Sequence, residues 1–369
     1  MLTTILFFIT ILTIYSLLNY IVYKIYLHFY DLFKFKKYIV FTIIFLSLQY
    51  PLSRFLNSYK ISTLFEFVGV LWFIFIIHIF FVSPFIYFSK KFIPIIQQNK
   101  RKFMSFITIG IIVFLLYGNS NFNDTKVQNV YITINKKTNI DSLNIVFISD
   151  IHLGNLVTPE KLNEKIKIIN HLNPDIVAIG GDLFDYGINS VDTIKLKQVL
   201  KKIKSKYGIY FVNGNHDLFS SNDKILNVVK NSNITVLIDT FINVQNSFYI
   251  VGRQDRSIMR SDKQRKPLKQ IIKTLDKTKP IIVLDHQPVD IDETIKNNID
   301  LQLSGHTHHG QFFPITEVVK AIYKVSWGYL KQNNTNIYVS SGLFGWGPPI
   351  RTGSNSEIVF LKIKFGGIK

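Results

Sequence analysis

Cysteine is absent from the 369 residues, which excludes disulfides and thiolate metal sites but leaves the compartment open. Acidic residues are nearly missing from the first 120 positions, where only Asp31 and Glu66 occur. Nor does the N-terminus carry the basic segment of a cleavable secretory signal. The apolar stretches near it hold no ionisable residues beyond Glu66 and His78, too few for a transport pathway. No groove of interleaved basic and aromatic residues can be traced, so nucleic acid is not the favoured partner.

What is present in quantity is apolar. Hydrophobic residues make up 47% of the chain and the mean hydropathy is +0.21, high for a water-soluble protein. Four apolar stretches lie before residue 120: Leu2 to Tyr23, Tyr38 to Leu52, Leu64 to Phe88 and Phe103 to Tyr117. Their lengths and composition predict four membrane helices. Lys24, Lys34, Lys36 and Lys37 follow the first, and Lys90, Lys91, Lys100, Arg101 and Lys102 follow the third. Only Arg54 and Lys60 follow the second. Basic loops stay cytoplasmic, so an even number of spans places everything after Tyr117 outside the cytoplasm. The lone His78 in the third stretch reads as a packing or hydrogen-bonding group. The net charge of +19 is shared by both halves. It suits lipid headgroups or a phosphorylated substrate, and equally a Lys-rich codon bias.

Beyond a boundary near residue 120 the pattern changes to short apolar runs separated by polar loops. Val130 to Ile134 alternates as an edge strand. Ile145 to Ile148 is β-branched and aromatic and runs into Asp150-Ile151-His152. Ile176 to Ile179 runs into Gly180-Gly181-Asp182, and Ile209 to Val212 into Asn213-Gly214-Asn215-His216-Asp217. Ile281 to Leu284 ends in Asp285-His286, and Leu301 to Leu303 is followed by Gly305-His306-Thr307-His308-His309. Between the first two, Thr158-Pro159-Glu160 opens a helix in the manner of a cap followed by proline. Six of the nine histidines fall in these five blocks, so the imidazoles are gathered at strand ends. In open α/β sheets that is where ligands bind, and Asp and neutral His are metal ligands.

Taken together, Asp150-x-His152, Gly181-Asp182, Gly214-Asn215-His216-Asp217, His286 and Gly305-His306-x-His308 resemble the calcineurin-like metallophosphoesterase superfamily over about residues 143 to 365. The tail from Tyr338 through Pro349-Ile350-Arg351 to Ile358 is similar to a membrane-associated bacterial subgroup. The resemblance implies an α/β fold: a two-sheet sandwich over residues 121–369, behind a helical membrane region over residues 1–120. It also implies two divalent metal ions. Asp182 would bridge them, with Asp150, His152 and His308 on one and Asn215, His286 and His306 on the other. Nitrogen and oxygen donors without sulfur suit Mn, Fe, Zn or Co. His216 would lie beside the substrate phosphate as general acid or oxygen stabiliser, next to Asn215, with Asp217 orienting its ring. Asp185 reads as supporting, His309 carries no role, and Arg351 is a candidate contact for a substrate phosphate.

The function this implies is a membrane-anchored dimetal phosphohydrolase. It would cleave a phosphodiester or pyrophosphate, with a lipid-linked or envelope phosphoester as the attractive substrate and the bilayer as partner. The alternatives are a phosphomonoesterase or nuclease on the same fold, an inactive membrane scaffold or receptor, and a transporter regulated by the second half. Nothing in the sequence bears on oligomeric state.

Overall fold

The computed structural model describes residues 2–366 apart from 54, 57–58, 186–187, 220–221 and 261–262. Arg54, one of the two basic residues of the second loop, thus lies outside the described residues. The chain divides into two compact units, Met1–Tyr117 and Gly118–Lys369.

The first unit is helical: α1 (Leu2–Phe29), α2 (Lys36–Ser53), α3 (Tyr59–Phe92), the short α4 (Pro94–Gln98) and α5 (Lys100–Asn123), whose last residues belong to the second unit. The long helices alternate in direction. Tyr26, late in α1, and Tyr30, just past its end, bond Thr108 and Ser105, early in α5. Ser53 and Tyr50, late in α2, meet Ser62 and Gly69, early in α3. Asn19, Ser47 and Trp72 tie α1, α2 and α3 together by hydrogen bonds of 2.9–3.2 Å. Large apolar side chains such as Leu12, Phe41 and Phe106 face outward, which suits an apolar solvent.

Three helical segments are long and apolar enough to cross a membrane: Ile9–Phe29, Ile61–Phe92 and Lys100–Asn123. The remaining expected span is a helix, but α2 falls short on composition. Lys36 and Lys37 open it, and Gln49 and Pro51 interrupt its end.

The second unit holds two six-stranded sheets. In chain order the strands are β1 (Lys126–Ile134), β2 (Ser142–Ile148), β3 (Ile176–Ile179), β4 (Ile209–Phe211), β5 (Thr235–Val236), β6 (Thr240–Val244), β7 (Phe248–Gly252), β8 (Ile281–Leu284), β9 (Leu301–Ser304), β10 (Gly328–Gln332), β11 (Thr335–Val339) and β12 (Glu357–Phe365). The first sheet runs β1-β12-β2-β3-β4-β5 and the second β10-β11-β9-β8-β7-β6. Within them β2, β3, β4 and β5 are parallel, as are β7, β8, β9 and β11. Helices α6 (Pro159–His171), α7 (Thr193–Leu200), α8 (Asn215–Phe219), α9 (Asn222–Lys230), α10 (Leu268–Ile271), α11 (Ile291–Lys296) and α12 (Ile315–Ile322) fill the connections.

Strand β2 shows why the layers form. Its side chains alternate in direction. Ile145 and Phe147 enter a core shared with Leu284, Leu301 and Leu303 of the second sheet. Val146 and Ile148 enter one shared with Leu162, Ile166 and Ile169 of α6. A strand buried on both faces reads as a continuous apolar run, as Ile145–Ile148 does. Ile271 and Leu268 of α10 cover the outer face of the second sheet. The result is an α/β sandwich of two mixed sheets between helical layers.

Candidate metal centre

Parallel strands end at a common edge, and the expected ligands follow β2, β3 and β4 in one sheet and β8 and β9 in the other. The two edges are stitched to each other. His306 N donates to Asp150 Oδ1 at 3.0 Å, and His286 Nδ1 pairs with Gly180 O at 2.7 Å. Leu343 N donates to Ser149 O at 2.8 Å. Asp150, His152, Asp182, His306 and His308 all have left-handed backbones, with φ between 49° and 71°. Such conformations cost about 1–3 kcal/mol each in non-glycine residues and concentrate at functional sites. They re-aim side chains that a straight exit from the strand would splay apart.

Two clusters result. In the first, His308 Nε2 lies 3.2 Å from His152 Nε2 and 3.4 Å from Asp150 Oδ1. In the second, His286 Nε2 lies 3.2 Å from both Asp182 Oδ2 and Asn215 Oδ1. His306 completes it, with its ligand atom within 4.8 Å of those of Asp182 and His286. Asp182 Oδ2 is also 3.7 Å from His152 Nε2, so one carboxylate oxygen faces both clusters. Close approach depends on Gly214: a Cβ there would collide with the Asp182 carboxylate and main chain. Gly181, at φ 94°, takes a turn that other residues resist.

These residues fit a divalent cation. The donors are imidazole nitrogens and carboxylate oxygens without sulfur. Burial raises the Asp150 carboxyl, opposing its charge. Burial alone would raise Asp182 as well, but His286, with His152 and His216, holds it below the usual carboxylate range. Burial, then the charge of His286, pushes His306 down to about 3. Burial, then His152, pushes His308 well below the usual range. Both rings are therefore neutral, the form that ligates. Against burial, Asp182 raises His286 well above the usual imidazole range, and Asp185 and Asp182 raise His152, so protons on these two rings offset the buried carboxylates where a divalent cation would take their place.

The neighbours of the ligands fix ring orientation. The Gly180 carbonyl holds His286 by Nδ1 and turns Nε2 into the centre. Asp185 does this twice. Its carbonyl pairs with His216 Nδ1 at 2.7 Å, and its carboxylate lies 3.3 Å from His152 Nδ1. The rings of His152 and His216 meet edge to face, 4.7 Å apart.

Two expectations change. Asp217 does not orient His216. It is buried, and its carboxylate accepts from Leu183 N, Phe184 N and Gly214 N at 3.0, 3.3 and 2.9 Å. Burial, then the charge of Asp182, raises it to about 7. It fastens the loops after β3 and β4, while the ring partner is Asp185. Arg351 does not face a substrate either. It is fully buried and donates to Phe344 O, Ser341 O and Ser354 Oγ at 2.5, 2.6 and 2.7 Å. A longer contact of 3.4 Å reaches His308 O, so it braces the loop behind a ligand. His309 packs 5.2 Å from Trp327 and enters neither cluster. The sequence signal for Asp185 was its place three residues after Asp182, on the turn that carries it.

Comparison with known proteins agrees with this geometry. Residues 143–310 match the calcineurin-like phosphoesterase family. An uncharacterized metallophosphoesterase of Helicobacter pylori is 31% identical over 284 residues, 75% of either chain. One of Campylobacter jejuni is 34% identical over 266 residues, 69% of this chain and 68% of its own. A zebrafish transmembrane protein with a metallophosphoesterase domain is 30% identical over 68% of this chain and 60% of its own length.

Proposed function

The chain belongs to the calcineurin-like metallophosphoesterases, and from that premise we propose that it is a membrane-anchored phosphohydrolase. It uses two divalent cations to cleave a phosphodiester or pyrophosphate, with a lipid or envelope phosphoester as substrate. The observation that carries this is the Asp182 carboxylate, which faces both ligand clusters. Divalent cations so held supply Lewis acidity toward phosphoryl oxygens and a water acidic enough to attack at neutral pH.

The chain's own residues do the rest. Asp150, His152 and His308 hold one cation, and Asn215, His286 and His306 the other. His216 donates Nδ1–H to the Asp185 carbonyl, so Nε2 is the atom that exchanges a proton with the substrate. As an imidazolium it gives that proton to the leaving oxygen or stabilises phosphoryl charge. The Asp185 carbonyl keeps the ring in that orientation, as main-chain carbonyls behind a working histidine do.

The catalytic unit is extracytoplasmic in this reading. The alternation of α1, α2, α3 and α5 supports it, because α2 reverses the chain between α1 and α3. At 18 residues it is about 27 Å long, close to the hydrocarbon thickness of roughly 30 Å. The connections between α1 and α2 and between α3 and α5 carry most of the basic residues and stay inside.

The test is purified protein with Mn²⁺ against bis-p-nitrophenyl phosphate, p-nitrophenyl phosphate and a panel of lipid phosphoesters, with His216→Ala as control. Hydrolysis of a diester that His216→Ala slows by about 10²–10⁴-fold supports the reading. Activity on monoesters alone overturns the diesterase assignment. A C-terminal reporter active only in the cytoplasm overturns the topology.

A further inference from the structure

Helix α12, Ile315–Ile322, follows the loop that carries His306 and His308. Ile315, Val318, Val319 and Ile322 recur at the spacing that puts them on one face, with Glu317 and Lys320 opposite. In the other amphipathic helices of this unit such a face is buried. Leu162, Ile166 and Ile169 do this for α6, and Leu196, Val199 and Leu200 for α7. In α12 only Thr316 is buried. Val318 is 53% exposed and Ile322 68%, and Phe313 before the helix and Trp327 after it are 51% and 44% exposed. The patch adjoins the metal centre, since Tyr323 packs against His306 and Trp327 against His309.

We propose that this face of α12, with Phe313 and Trp327, seats in the headgroup region of an anionic bilayer. Three observations select that occupant. The same chain carries three segments apolar enough to cross a membrane, so a bilayer is always at high effective concentration and a weak contact suffices. The composition is that of an interfacial helix: aliphatic on one side, with Lys320 and Lys324 about half exposed and ion-paired with the exposed Glu317 and Asp292. A second copy is a poor fit, because eight residues span about 12 Å and a stable dimer needs roughly 800 Å² from each partner. On the hydrolase reading above, the consequence is that a lipid phosphoester enters the centre sideways, without leaving the surface.

The absence of cysteine makes the test direct. The full chain is reconstituted in phosphatidylglycerol nanodiscs as Ile322→Cys or Glu317→Cys, spin-labelled, and probed by power saturation. The label at 322 is expected to be more accessible to oxygen than to a water-soluble nickel chelate, and the label at 317 the reverse. Equal aqueous exposure at both sites overturns the proposal, as do interchain disulfides through position 322. This readout needs no activity, so it stands or falls separately from the hydrolase reading. In an active preparation, Ile322→Glu lowers kcat/KM for a vesicle-embedded phosphoester about tenfold and leaves bis-p-nitrophenyl phosphate unaffected. Equal loss on both substrates counts against surface docking.

Discussion

In the first unit Leu12, Phe41 and Phe106 face outward while Asn19, Gln49 and Glu66 are buried. In the second, Ile145, Phe147 and Leu303 are buried, and the buried polar groups crowd the loops at one edge of two sheets. Solvent makes the difference. Helices in lipid gain nothing by hiding apolar surface from one another, so packing and polar contacts such as Asn19–Ser47–Trp72 specify them. In water, apolar burial holds the sheets together and frees the strand ends for chemistry. The same amino acids therefore carry different weight in the two units, and seven substitutions measure by how much.

The largest effect is expected from paired phenylalanines. Phe147 is fully buried between the sheets and Phe41 is 70% exposed on α2. Phe147→Ala should cost about 3–5 kcal/mol of second-unit stability. Phe41→Ala should cost almost nothing in lipid, since its surroundings are apolar in either state. Thermal unfolding in nanodiscs reads both, and equal losses would break the comparison. Asp182→Asn comes next. It removes the shared ligand charge, and losing several kcal/mol of metal-derived stabilisation corresponds to about 10³-fold in rate. The measurement is turnover together with bound metal per chain. A variant that keeps both would show that Asp182 does not join the clusters.

How much could be read in advance follows the same division. That Asp150, His152, Asp182, Asn215, His286, His306 and His308 gather at one edge was legible, because each follows an apolar run and the series resembles the family's motifs. The partners behind them were not. Asp217 adjoins His216 in sequence, whereas Asp185 lies 31 residues before it. Only the left-handed turn at Asp182 decides that Asp185 reaches the ring while Asp217 is buried against main-chain amides. Arg351 read as a candidate substrate contact because burial of a guanidinium depends on carbonyls from Ser341 and Phe344, which the chain brings to it only by folding back. In the first unit the helices were legible from apolar length, although Lys36, Lys37, Gln49 and Pro51 inside α2 make its apolar stretch shorter than that of the three segments long and apolar enough to cross a membrane. α12 and β10 arise in a stretch between Gln311 and Thr335 where no strand period or cap announces them.

Asp185 and Asp217 sharpen the comparison within the second unit by separating orientation from fastening. Asp185→Asn keeps the main-chain carbonyl that holds His216 but loses the charge beside His152. It should lower kcat or metal affinity about 10–100-fold with little change in melting temperature. Asp217→Asn replaces one acceptor by a donor facing buried amides, Gly214 N on one side or Leu183 N on the other. It should cost about 1.5–3 kcal/mol of stability, the range for hydrogen bonds to a charged group, with a smaller fall in turnover per folded, metal-loaded chain. The reverse pattern would return the orienting role to Asp217.

The smallest expected effect tests the first unit on its own terms. Ser47 Oγ donates to Asn19 Oδ1 at 2.9 Å, and the Trp72 indole N–H reaches the same oxygen at 3.0 Å. Removing the hydroxyl in Ser47→Ala leaves Asn19 still paired with Trp72, so no polar atom of the trio is stranded. Interhelical hydrogen bonds in membranes average about 0.6 kcal/mol by double-mutant cycle, and that is the expected loss. Asn19→Leu takes the acceptor from the Ser47 hydroxyl and leaves the Trp72 N–H only its 3.2 Å contact with Ser47 Oγ, so it should cost more than Ser47→Ala, and the double mutant should differ from the sum of the two singles. Additive costs would mean that the trio is not coupled and that apolar packing alone sets the register of α1, α2 and α3.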